Sequence, residues 1–90
     1  MNRAEARNAV VQALDKAANS LSDPKLSSAL NDPVGDIMLA DAGLDSLDEV
    51  ELCIELEALV GVEIEPAEVA KFKSLMALAD YVVERTGGTP

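Results

Sequence analysis

An all-α fold is the architecture this sequence predicts, with three main helices and one or two short ones between them. Three observations carry that reading. Apolar residues recur at spacings of three and four in separate stretches. Serine, aspartate or proline stands where several of those stretches begin, and no segment alternates apolar and polar residues as a half-buried strand would. Ninety residues hold one core, and so small a domain buries only about 60–65% of its unfolded surface. Residues 1–85 read as one domain and residues 86–90, Thr86-Gly87-Gly88-Thr89-Pro90, as a disordered tail.

The first helix is predicted from about Ala4 to Asn19. Ala6, Val10, Ala13, Leu14, Ala17 and Leu21 form one apolar stripe, and Arg3, Arg7, Gln12 and Lys16 are left for the wet side. Asp23-Pro24 reads as an N-cap followed by proline at the first helical position, opening a short helix over Lys25 to Leu30. Pro33 should end it. Val34 to Asp45 is expected as a loop with Ile37 and Leu39 turned inward and Gly43 in a turn. The central helix begins at Ser46, where Ser46-Leu47-Asp48-Glu49 matches a capping box. It runs to about Val60 and stops at Gly61, a residue suited to the left-handed conformation. Val62 to Glu65 should be extended, Pro66 to Lys71 a short helix, and Ser74 the cap of a last helix with Leu75, Leu78, Ala79 and Val82 on one stripe.

Charge and composition exclude several functions. Seven basic against 17 acidic residues, a net charge of −10, disfavour nucleic acid and anionic lipid. Two aromatics, Phe72 and Tyr81, are too few for a base-stacking platform. Without histidine and with one cysteine, the chain cannot assemble a Cys/His zinc site or a histidine-activated nucleophile. It reads as a non-enzyme. A lone cysteine forms no internal disulfide, which suits a reducing compartment. The longest apolar run, Leu75 to Ala79, is far short of the ~20 residues of a membrane span. With no secretory signal visible, a cytoplasmic monomer is expected.

The central helix carries the functional information. At about 100° per residue, Leu52, Cys53, Leu56, Leu59 and Val60 gather on one side. Leu47, Val50, Ile54 and Ala58 gather nearly opposite, with Asp48, Glu51 and Glu55 on one flank and Glu57 on the other. Two opposed apolar sides mean either a helix sandwiched within the fold or one that shows a stripe to a partner. From Asp36 to Glu68 there are 11 acidic residues and no lysine or arginine. A solvated acidic face would explain that by itself, but a docking stripe with a carboxylate fence would meet a hydrophobic groove with a basic rim. Asp41, Asp45, Asp48 and Glu49 also invite a calcium loop. The EF-hand spacing fails, with Ser46 where glycine is needed and Leu52 where the bidentate glutamate belongs, so no metal site is expected.

Asp45-Ser46-Leu47, with Asp41-Ala42-Gly43-Leu44 before it and Asp48-Glu49-Val50-Glu51-Leu52 after, resembles the phosphopantetheine attachment motif of acyl carrier proteins. The similarity continues through Val62-Glu63-Ile64 and Ala79-Asp80-Tyr81-Val82, covering about Ile37 to Glu84. The resemblance implies an acyl-carrier-like helical bundle in which Ser46, flanked by Asp45 and Leu47, carries covalent 4′-phosphopantetheine. It further implies that Leu47, Asp48, Val50, Glu51, Ile54 and Glu57 meet partners: a phosphopantetheinyl transferase and acyl-transferring or acyl-elongating enzymes with basic docking patches. Leu39, Leu52, Leu56, Ile64, Phe72 and Tyr81 would line a core able to sheath an acyl chain. Ala42 and Met38 differ from the fatty-acid type, and Ser22 to Val34 is longer. The wording Gly43-Leu44-Asp45-Ser46-Leu47 is closer to carriers of polyketide or other specialised pathways. The alternative is a helical interaction or regulatory protein of carrier-like fold in which Ser46 stays unmodified.

Overall fold

Asn2 opens the chain's first helix as N-cap: its side chain accepts from Glu5 N, and Glu5 reaches back to Asn2 N. A computed structural model describes residues 1–87. It contains α1 (Arg3–Ala18), α2 (Pro24–Asn31), α3 (Ser46–Val60), α4 (Pro66–Val69) and α5 (Leu75–Arg85). Short 3-10 turns occupy Ser20–Ser22 and Leu39–Ala42. The fold is all-α, as the periodicity predicts. α1 packs against both α3 and α5, and α4 sits against α3.

The core is built from the stripes read in the sequence. Val10, Leu14, Leu52, Leu56, Ile64, Leu75, Leu78 and Val82 are fully buried. Ala6 and Ala13 bring α1 close to its neighbours, while Ala17 and Leu21 are only half-buried at its far end. Asp23 caps α2 through Lys25 N, with Pro24 at its first position. Ser74 caps α5 through Ala77 N. Gly61 ends α3 at φ 75°, which a residue with a Cβ adopts only with strain.

Several expectations need correction. Arg7 is buried, not wet. Its Nη2 donates to the carbonyls of Ala29 (3.0 Å) and Gly35 (2.9 Å), and its Nε donates to Gly35 again (3.1 Å). The guanidinium thereby ties α1 to the end of α2 and the loop after it. Gly35 is needed there because a Cβ would collide with the Ala29 carbonyl. Leu59 is exposed and Val60 half-buried, both in the last turn of α3. Phe72 and Tyr81 are half-buried against the core edge, their rings 4.9 Å apart and tilted by 38°. The short helix after Pro66 stops at Val69.

The loop from Val34 to Asp45 is more ordered than expected. Ile37 and Leu39 do turn inward, and the backbone between them pairs with the chain before α5. Leu39 N donates to Lys73 O (2.7 Å) and Leu75 N to Ile37 O (3.0 Å), an isolated antiparallel bridge centred on Met38 and Ser74. Asp36 Oδ1 accepts from Ile37 N and from Met76 N, fixing the same crossing. Of the expected tail, Thr86 closes α5, its N–H and Oγ1 both donating to Val82 O, and Gly87 N donates to Glu84 O. Gly88, Thr89 and Pro90 lie outside the described residues.

Candidate functional site: the start of helix α3

The incoming chain decides how α3 begins. The 3-10 turn ends at Gly43, and Leu44 is held half-buried against the core. That leaves Asp45 in the extended conformation an N-cap requires (φ −93°, ψ −177°). Asp45 Oδ1 accepts from Asp48 N at 2.8 Å, and Asp48 Oδ2 accepts from Asp45 N at 3.3 Å. The capping box is therefore Asp45 with Asp48, one residue earlier than the Ser46–Glu49 box expected. Ser46–Glu49 matches the Ser/Thr-x-x-Glu pattern, whereas the box that forms pairs two aspartates.

The shift changes what Ser46 is free to do. As the first residue of α3 it is exposed, takes no part in the cap, and has no side-chain partner among the described residues. Of the N–H groups at the helix start, those of Asp45 and Asp48 are occupied by the reciprocal cap. Those of Ser46 and Leu47 remain open. A free hydroxyl beside two open N–H groups suits a phosphodiester. Asp45, Asp48 and Glu49 surround the same point with negative charge.

The second stripe of α3 is exposed: Leu47 at 79%, Ile54 at 58% and Val50 at 44%, with Ala58 beyond them. The helix is thus not sandwiched. Glu51 is exposed beside this stripe and Asp48 is half-buried. Two other carboxylates have duties inside the fold. Glu57 Oε1 accepts from Ile64 N at 2.9 Å and so holds the chain after Gly61. Glu55 lies 3.6 Å from Lys16 Nζ of α1. The sequence offers no sign of either contact, since each partner is distant along the chain or on its backbone.

Behind the start of α3 lies a cleft of about 430 Å³. Leu39, Leu44, Val69 and Phe72 give it an apolar lining, with Glu49 and Lys73 also on its walls. Sequence reasoning missed Lys73. The one thiol of the chain offers no reactive alternative to a cofactor's. Cys53 is buried on the core side of α3, and burial first, then the fields of Glu57 and Glu49, push its pKa up to about 11.

The model of the phosphopantetheine attachment site family matches residues 25–82, more than half of the chain, with the start of α3 inside the match. The chain belongs to the acyl carrier protein family. No solved structure matches it. The match begins in α2 and ends within α5, so it spans the elements that hold the carrier's cleft and its exposed stripe. A phosphopantetheine-carrier role follows, and carrier domains of this family are in general non-catalytic. Among the described residues, no helix of this carrier is long and apolar enough to cross a membrane.

Proposed function

We propose that Ser46 is the residue that carries 4′-phosphopantetheine, and that this carrier presents acyl intermediates of a fatty-acid, polyketide or related biosynthetic route. One observation carries the reading most: Asp45, not Ser46, caps α3, so the serine hydroxyl is exposed and has no structural duty. Asp45 keeps the helix start in place whatever is attached next to it, and the open N–H groups of Ser46 and Leu47 can receive phosphate oxygens. When bound, the group supplies a thiol that holds acyl groups as thioesters on a flexible arm. With no histidine and a buried, protonated Cys53, the chain has no base suited to activate the Ser46 hydroxyl, so a separate transferase must act.

Leu47, Val50 and Ile54 are the apolar anchors for that transferase and for acyl-handling enzymes, and Asp48 and Glu51 attract their basic rims. Glu57 contributes less than the sequence suggests, because its carboxylate is engaged by Ile64 N. We place the carrier in the cytoplasm as a monomer, on its acidity and its single buried thiol.

The test is an intact-protein mass after incubation with coenzyme A and a broad-specificity phosphopantetheinyl transferase. One phosphopantetheine should add to the native chain and none to Ser46→Asn. An unmodified native chain, under conditions that load a control carrier, refutes the assignment. Uptake by Ser46→Asn moves the site elsewhere.

A further inference from the structure

The cations of this protein are few, and the fold has already engaged most of them. Arg3 pairs with Asp80 (2.7 Å), Lys16 with Glu55 and Lys71 with Glu68 (3.3 Å). Arg7 is buried on carbonyls, and Arg85 Nη2 donates to Glu63 O. Among the described residues, Lys25 and Lys73 are left with neither an ion pair nor a carbonyl acceptor for the side chain. Lys25 sits on α2, away from the start of α3 in sequence and outside the cleft lining. Lys73 lines the cleft behind Ser46 and is the one cation that does so.

Its position is fixed by the backbone. Lys73 O accepts from Leu39 N at 2.7 Å, and Leu75 N closes the bridge on Ile37 O. The lysine stem therefore starts from an anchored point on the cleft wall. Glu49, on another wall, is one helical turn from Ser46 and on the same side of α3. Glu49 and Lys73 line the same cleft without forming an ion pair, so the ammonium is not neutralised from within. Lys73 is exposed beside the apolar lining of the cleft, so an acyl chain lying on that lining would bring a charged end within reach of the ammonium.

We infer that Lys73 receives an oxyanion brought into the cleft by the arm on Ser46. This rests on the reading of Ser46 as the attachment point. The oxyanion is the carboxylate of an acyl group that ends in one, since the phosphodiester is fixed on Ser46, outside the cleft lining. Lys73 would then be a specificity determinant, favouring charged over purely aliphatic cargo. The contact is an ammonium–oxyanion hydrogen bond, with no covalent step.

The experiment follows the lysine side chains of the isotopically labelled full chain by NMR in four states: unmodified, carrying the bare arm, carrying butyryl and carrying succinyl. Intact mass first establishes loading, with Ser46→Asn as the negative control. Read at pH 7, the Lys73 Cε and Hε signals should shift in the succinyl state, because the ammonium then donates to the cargo carboxylate. Lys71, already paired, should stay in place. A shift already complete with the bare arm overturns the assignment to cargo. A shift with succinyl but not with butyryl or the bare arm identifies the cargo carboxylate. Lys73→Gln should abolish the accompanying amide shifts at Leu39 and Phe72, and Lys73→Arg should retain them. Confirmed loading with Lys73 unmoved in every state overturns this inference and leaves the Ser46 assignment standing. Failure to load at all overturns both.

Discussion

Asp45 and Ser46 divide two duties that the sequence pattern would let either hold. Asp45 supplies the oxygen that satisfies Asp48 N, and Ser46 stands free at the first helical position. That division has measurable consequences. Asp45→Ala should cost about 1 kcal/mol in urea denaturation, the usual loss for removing a helix cap. Ser46→Ala should stay within about 0.5 kcal/mol of the native chain, since an exposed side chain without a partner contributes little. Alanine at Ser46 is then a clean probe of modification, free of a folding artefact. Equal losses for the two variants would put the cap back on the serine and weaken the case for its freedom.

Helix α3 reads as two helices in one, with Leu52, Cys53 and Leu56 buried and Leu47, Val50 and Ile54 in solvent. Leu56→Ala should therefore leave a cavity and cost roughly 2–5 kcal/mol, a large part of the stability of so small a domain. Ile54→Ala should cost about 0.5 kcal/mol or less, yet slow phosphopantetheine loading by the transferase. Denaturation and loading kinetics on both variants check this. Comparable destabilisation would mean that the second stripe is covered, contrary to its exposure.

Much of this element-level structure was legible beforehand, because helix periodicity and caps are local signals. Asp23-Pro24, Gly61 and Ser74 each mark a boundary where the structure has one. What escaped is non-local. Arg7 lies at helical spacing from Val10, Val11 and Leu14, so periodicity alone places it on an apolar face. Its charge argued for solvent, and only the carbonyls of Ala29 and Gly35 resolve the conflict. The bridge between Met38 and Ser74 joins backbone 36 residues apart and leaves no mark in side-chain pattern. For the site, the Asp45-Ser46-Leu47 wording located the start of α3, while Lys73 became visible only when the bridge brought it to the cleft.

For the molecule as a whole, negative charge is the standing condition, with a net charge of −10 and three exposed ion pairs that each contribute little. Alkaline pH should add to that burden in a predictable way. Folding raises the Cys53 pKa from 9.0 to about 11, chiefly by burial and then through Glu57 and Glu49. Tyr81 is raised as well, by burial first, with Arg85 opposing and Glu68 and Glu65 reinforcing. In both cases the native state keeps a proton that the unfolded chain releases more readily. Protons bound to the native state then exceed those bound to the unfolded one, so unfolding becomes easier as pH rises. Stability should accordingly show no loss from these groups below about pH 8.5, and should fall from about pH 9 towards pH 11. Urea midpoints across that range, on the native chain and on Cys53→Ala, provide the measurement. The variant should start less stable, having lost buried volume, but decline less steeply, because of these two groups only Tyr81 remains to release a proton. Parallel declines would show that the thiol is not the group responsible, and a flat native profile to pH 11 would contradict the burial of Cys53.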